Sequence, residues 1–372
     1  MKLTVPVASL FKALQLVSGA IERRQTMPIL ANVLLMTVEQ QLLIIATDTE
    51  LELVSTVTLP QKTKIPAMAF TTSGRKLLDI CRTLPEGGEV ELELNEERER
   101  IVIALGPSRF TLTTLPAAGF PRVPEQTCIV QFSTKQKALR MLAEKTYFAI
   151  PQQSSRHYLL GMFLEMKDGA IKAAASDGHR LALYGIKTTA DKSAFAQVII
   201  PRKGVLELIR LLEDSEEEIS IALNENYIRI IGRDFVYTSK LIAGKFPNYA
   251  KLIPQTNDKM ITINRDALKQ AITRVSILSN EIFRNIRLQL QSNMLRLITN
   301  NPEQEEAVED LPVTYRGEKF DTIFNVNYFL DILNSLETEN VLLSLKDNES
   351  GATLEEVNGK NECVYVLMPI RR

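Results

Sequence analysis

The 372 residues exceed what one compact core usually holds, so two or three domains of ordinary size are expected. Hydrophobic residues at 45% and charged residues at 24% are the proportions of a soluble globular chain and exclude a disordered one. With a formal net charge of -1, any affinity for nucleic acid must come from how the charges are distributed, not from their sum.

The opening Met1-Lys2-Leu3-Thr4-Val5-Pro6 lacks the charged region, apolar core and small-residue cleavage site of a signal peptide. No window approaches the roughly 18 consecutive apolar residues of a membrane span. A cytoplasmic protein with no membrane association is expected. Leu3-Thr4-Val5 predicts a short strand running into a helix whose buried stripe is Leu10, Phe11 and Leu14. A strand-turn-strand follows from Leu43 to Leu53 around Asp48. Leu77, Leu78, Ile80, Cys81 and Leu84 then predict a second helix, and Val90 to Leu94 a further strand. Prolines from Pro116 to Pro124 punctuate the end of this unit.

The same order then returns twice. Ile129 to Phe132 lead into a helix at Leu139 and Leu142, a turn at Asp177, a helix at Leu206, Leu208, Ile209 and Leu212, and a strand from Ile219 to Leu223. Met260 to Ile263 lead into a helix at Leu268, Ala271 and Ile272, a turn at Asn301, a helix at Phe329, Leu330, Ile332, Leu333 and Leu336, and a strand from Val341 to Leu345. The period, about 125–130 residues, is that of a domain rather than a solenoid repeat. Three domains are expected, at 1–124, 128–253 and 258–372. Each is α+β, with two helices packed on antiparallel sheets.

Charge sorted by element gives basic helices and acidic turns. Lys12 lies in the first helix, Arg75, Lys76 and Arg82 in the second, and Lys135, Lys137, Arg140 and Lys145 at the third. Arg202, Lys203 and Arg210 lie in the fourth, and Lys269 and Arg274 in the fifth, followed by Arg284 and Arg287. The sixth has little positive charge. Glu86 to Glu97, Glu213 to Glu218, Glu337 and Glu339 supply the acids. Helices on one side of each sheet would present a positive face, suited to phosphate contact without base reading.

Cys81, Cys128 and Cys363 are too dispersed for a disulfide framework or a metal site, and are expected to be reduced and buried. Neither a phosphate loop nor a nucleophile elbow is present, and His157 and His179 are the only histidines. Ser176-Asp177-Gly178-His179-Arg180 places an acid, a base and a cation together, so a hydrolase or transferase at this segment is the rival reading. Asp-Gly is also a strong turn signal, and the segment repeats the hairpin position of Thr47-Asp48-Thr49. The acidic run from Glu303 to Asp310 lacks the alternating ligands and central glycine of a calcium loop. It suits an interface with the basic edge at Arg98, Arg100 and Arg109, through head-to-tail association that can close a ring. No metal and no cofactor is expected.

Several segments taken together resemble the family of bacterial DNA sliding clamps, the β subunits of replicative polymerase holoenzymes. They include Pro28-Ile29-Leu30, Leu84-Pro85-Glu86-Gly87, Asp177-Gly178-His179-Arg180-Leu181-Ala182, Pro201-Arg202-Lys203-Gly204-Val205, Leu278-Ser279-Asn280-Glu281, Asn300 to Glu306 and Val366 to Arg371. The likeness spans essentially the whole chain. It implies a ring-shaped head-to-tail homodimer around duplex DNA, with no catalytic residues. Partners would be a replicative polymerase, an ATP-driven clamp loader, and other polymerases and repair proteins carrying clamp-binding peptides.

The resemblance further implies a partner-peptide pocket at Arg156, Leu159, Ser176, Gly178, His179, Arg180, Leu181, Pro247, Lys251, Leu252, Val366, Leu367, Met368, Pro369, Ile370 and Arg371. DNA contact would fall on Arg24, Gln153, His157 and Tyr158, with Arg202 and Lys203 from the basic fourth helix. The subunit contact would set Phe110 and Leu112 against Ile277 and Leu278, with Arg109 facing Glu303, Glu305 or Glu306. His157 stands where clamps can carry an aromatic, and Lys251 where they often carry arginine.

Overall fold

A computed structural model describes the chain except residues 23–26, 60–64, 125–126, 189–194 and 371–372. The first repeat runs β1 (Lys2–Pro6), α1 (Val7–Val17), β2 (Asn32–Val38), β3 (Gln41–Thr47), β4 (Leu51–Thr58), β5 (Ala69–Ser73), α2 (Gly74–Thr83), β6 (Glu89–Asn95), β7 (Arg100–Leu105) and β8 (Ser108–Pro116). The second runs β9 (Val130–Lys135), α3 (Gln136–Tyr147), β10 (Gly161–Lys167), β11 (Ala170–Ser176), β12 (Arg180–Lys187), β13 (Ala196–Pro201), α4 (Arg202–Leu211), β14 (Glu218–Leu223), β15 (Tyr227–Ile231) and β16 (Phe235–Lys240). The third runs β17 (Lys259–Asn264), α5 (Arg265–Val275), β18 (Asn285–Gln291), β19 (Met294–Asn300), β20 (Glu306–Pro312), β21 (Phe320–Asn325), α6 (Val326–Ser335), β22 (Asn340–Leu345), β23 (Ala352–Glu356) and β24 (Glu362–Leu367). The order is the same three times, and every strand pairing is antiparallel.

Each repeat is itself a doubled half: strand, helix, three strands. The lead strands are exchanged between halves. β1 pairs with β6 while β5 pairs with β2, and the second and third repeats do likewise through β9–β14, β13–β10, β17–β22 and β21–β18. The buried stripes follow helical spacing: Val7, Leu10, Ala13, Leu14 and Val17 in α1, and Leu268, Ala271, Ile272 and Val275 in α5. Asn264 and Asn325 cap α5 and α6 by accepting the N–H of Ala267 and of Asn327 and Tyr328. Leu84, Leu212 and Leu336, expected to end the second helix of each repeat, instead lie just past it in extended conformation, buried at the same place each time.

Sheets cross the repeat boundaries. Leu51–Ser55 of β4 pair with Phe235–Ser239 of β16, so a twelve-stranded sheet joins the first repeat to half of the second. Arg180–Gly185 of β12 pair with Glu362–Leu367 of β24, joining the other half to the third repeat in an eight-stranded sheet. The compact units therefore divide within the second repeat: Met1–Gln136 with Glu213–Leu241, and Lys137–Leu212 with Ile242–Arg372. Among the described residues, no helix is long and apolar enough to cross a membrane.

Two expectations need correction. Cys128 is exposed, its thiol donating to the Val130 carbonyl, because it precedes β9 on the surface rather than pointing into a sheet. Cys81 and Cys363 are buried, and burial pushes each thiol up to about 12. At pH 8 a disulfide reagent will therefore label one thiol per folded chain rapidly and the other two only on unfolding. Rapid labelling of all three in the native protein would contradict this packing.

The basic helices are also less free than their sequence suggests. Lys12 is paired with Asp234, Arg82 with Asp79, Arg140 with Glu144, Arg210 with Glu207 and Arg274 with Glu309. Lys145 is buried, bonding the Ser335 carbonyl and Glu337. Arg75, Lys76 and Lys203 remain on the surface.

Candidate partner-binding groove

The site begins at the turn between β11 and β12. Ser176 Oγ donates to the Arg180 carbonyl at 2.7 Å and accepts the Gly178 N–H at 3.1 Å. Asp177 Oδ1 accepts the N–H groups of His179 and Arg180 at 2.9 and 3.0 Å, and its Oδ2 accepts Arg180 Nε at 3.0 Å. Gly178 sits at φ +92°, which favours glycine. The first repeat makes the same turn: Asp48 Oδ1 accepts from Glu50 and Leu51, and Thr47 Oγ1 donates to the Leu51 carbonyl. Asp177 is thus spent on turn formation, which the sequence parallel anticipates. That use tells against the rival reading of an acid–base pair with His179.

Arg180 fixes the wall behind the turn. Its guanidinium donates to Asp331 Oδ2 at 2.6 Å and to the Phe148 carbonyl, and it lies over the rings of Tyr328 and Phe148 at 4.3 and 5.2 Å. Its side chain is 10% exposed. Strand alternation in β24 then sorts the C-terminal run. Val366 pairs with Leu181, and both join Leu159, Phe163 and Phe246 in an apolar cluster. Leu367 is fully buried on the opposite face.

On that cluster lies a groove of about 620 Å³. Its lining includes Arg156, Leu159, Ser176, Gly178, Arg180, Leu181, Pro247, Lys251, Leu252, Val366 and Met368. A smaller hollow of about 430 Å³ shares Gly178 and Met368 and adds His179, Asn325, Tyr328, Pro369 and Ile370. Fifteen of the sixteen expected pocket residues lie among the described ones, and all but Leu367 line one hollow or the other; Arg371 lies outside the described residues. The sequence reading missed Ile253 to Thr256, Lys346, Ser350 and Gly351 in the groove, and Asn325 and Tyr328 in the hollow.

Of the expected DNA-facing residues, Gln153, His157 and Lys203 are exposed and Tyr158 is half-buried against the groove's cluster. Arg202 is turned inward, donating to the Ile150 carbonyl and to Tyr147 Oη at 2.6 Å each, with its guanidinium over the Tyr147 ring. Its charge serves packing first. Arg24 lies outside the described residues.

Among the described residues, two of the open sheet edges flank the expected subunit-contact residues. β8 pairs with β7 along Ser108–Thr113 but with β5 only at Thr114–Pro116, and β20 pairs only with β19. Arg109 is exposed on the first edge, with Phe110 and Leu112 half-buried. Glu303, Glu305 and Glu306 are exposed beside the second, where Ile277 is 77% exposed and Leu278 half-buried.

Residues 1–124, 133–248 and 250–371 match the N-terminal, central and C-terminal domain families of the DNA polymerase III beta subunit. The chain belongs to the DNA polymerase III beta subunit family, the beta sliding clamps. Across its whole length and theirs, it is 45% identical to the beta sliding clamp of Pseudomonas putida and 43% identical to that of Escherichia coli K12. The DnaN sliding clamp of Pseudomonas aeruginosa, solved bound to griselimycin, superposes with a TM-score of 0.96 at 43% identity, covering both chains fully. The beta sliding clamp of C. crescentus gives 0.94 at 33% identity, covering 100% of this chain and 99% of that one. The three repeats are thus the three beta clamp domains, each α+β with two helices and antiparallel sheets.

Proposed function

We infer that this beta clamp is a processivity factor, a ring that encircles duplex DNA without reading its sequence and holds polymerase through the groove at Leu181 and Val366. One observation carries the ring. The last strand of a repeat joins the fourth strand of the repeat before it, as β16 joins β4 and β24 joins β12. The same joint is unmade at β8 and at β20, one edge of each kind. Two chains set head to tail satisfy both edges by β-addition, with Phe110 and Leu112 meeting Ile277 and Leu278. Arg109 then faces Glu303, Glu305 or Glu306.

Domain boundaries at 1–124, 128–253 and 258–372 follow the repeat. Gln153, His157, Tyr158 and Lys203 are assigned to the DNA side, with Arg24, and none is asked to bind tightly, because topology replaces affinity. The groove takes apolar anchors of a short partner peptide on Leu159, Leu181 and Val366, while Ser176 and Arg156 offer polar contacts. Replicative polymerase, a clamp loader driven by ATP, and other polymerases and repair proteins compete for it. The clamp itself works without catalysis, in the cytoplasm.

The test is retention on nicked circular duplex after loading, followed by cutting the circle with a restriction enzyme. Loss of nearly all bound protein on linearisation is the expected result. Retention that ignores DNA ends would replace topology with direct binding, and failure of a competent loader to place the protein on the circle would overturn the clamp reading.

A further inference from the structure

The groove's second wall is the segment after β16, and its attachment to the sheet is unusual. Phe163 and Glu165 lie two apart on β10, so they share one face. Phe163 stacks on Phe246, with centroids 5.0 Å apart, and touches the ring of Tyr249 at 6.0 Å. Glu165 is buried at 9% exposure, although the cluster beside it is apolar. Its two oxygens accept Tyr249 Oη and Gln197 Nε2, each at 2.6 Å, and Gln197 is its partner across the β10–β13 pairing.

A carboxylate buried beside an apolar cluster is costly unless both oxygens are satisfied, and here both are. Gln197 supplies a donor from within the sheet, whereas Tyr249 reaches in from the wall. Just beyond Tyr249, past Ala250, come Lys251 and Leu252, which line the groove. Tyr249 and Asn248 also hold that turn through their carbonyls, which accept the N–H groups of Leu252 and Lys251 at 2.9 and 3.1 Å. Burial and the adjoining carboxylate both push the Tyr249 phenol upward, so it stays a donor throughout the ordinary pH range.

We propose that the Tyr249–Glu165 hydrogen bond is a latch that positions the groove's wall before a partner arrives, making both of them positioning residues for peptide recognition. The inference deepens the groove reading and rests on it. A wall already in place spares the ligand the ordering cost of assembling it, which appears as affinity rather than as new contact.

Two measurements on the full-length protein separate the latch from the groove. Amide hydrogen exchange at Lys251 and Leu252 reads the wall without any ligand. Tyr249→Phe should speed it on the order of tenfold or more, whereas Glu165→Gln, which retains an acceptor for the phenol, should restore rates near the unaltered protein. Griselimycin, bound by the related Pseudomonas aeruginosa clamp, is the titrant, and loss of its binding in Leu181→Lys assigns it to the groove. Tyr249→Phe should weaken binding roughly five- to tenfold, while Ile263→Val in β17, a mild core destabilisation, should leave affinity unchanged. Unaltered exchange in Tyr249→Phe overturns the latch, as does faster exchange with unchanged affinity. If Leu181→Lys leaves griselimycin binding intact, the groove assignment has failed instead, and the latch as a recognition device falls with it while the exchange result still decides whether the wall is held.

Discussion

Arg109→Glu combined with Ile277→Asp will convert the dimer to monomers, raising the dissociation constant at least about a thousandfold, or roughly 4 kcal/mol. Both residues are exposed within one chain, so neither change disturbs its core. In the head-to-tail pair, however, the first turns an attraction for Glu303, Glu305 and Glu306 into repulsion. The second places a carboxylate against Phe110 and Leu112, where it loses water and gains no partner. Sedimentation over a range of protein concentrations reads the change, with circular dichroism as the check on folding. A variant that remains dimeric at nanomolar concentration would remove β8 and β20 from the subunit contact. The monomer should also fail the DNA test, since a chain that closes no ring cannot be held on a circle by topology.

Arg180→Ala is the second large effect and acts on the fold and the groove together. The substitution removes the ion pairs to Asp177 and Asp331, the bond to the Phe148 carbonyl, and the contact with two rings. Asp177 is only 12% exposed and Asp331 is 42% exposed, so the cost is concentrated at Asp177 and the carbonyl. A loss of about 3 kcal/mol is expected, which for a unit of this size lowers the melting temperature by roughly 6–12 °C. Peptide binding should fall more than tenfold, because Gly178 and Leu181 flank the same turn. Arg180→Lys should rescue little, since an ammonium cannot match the planar fork or lie flat between two rings. Heat unfolding and peptide titration of both variants check this; full rescue by lysine would mean that charge alone matters.

Much of this was legible from residues alone because periodicity reports burial. The helical stripe of α5 and the alternation of β6 each appear in sequence as they do in the fold. Repetition announces three domains, and the parallel between Asp48 and Asp177 announces the turn they share. What escaped was the pairing between repeats. Nothing in β4 or β16 alone says that they meet, because side-chain alternation fixes which face a residue shows but not which strand lies beside it. The helix charges were misjudged for a related reason: the partners of Lys12 and Arg274, Asp234 and Glu309, are distant in sequence. The family resemblance named most residues of the groove and hollow, but it also named Leu367, whose burial follows from being one step out of phase with Val366, and it missed the wall from Ile253 to Thr256.

The exchanged lead strands and the joint between repeats have a consequence for how such a molecule can be divided. A cut at either inter-repeat linker leaves β4 and β16, or β12 and β24, as bare edges, so a single repeat is a unit of sequence but not one of solubility. Conversely, a chain ending after any whole number of repeats still offers one edge of each kind. Repeats per chain and chains per ring are therefore interchangeable quantities, and covalent linkage sets only which joints open when the ring is parted.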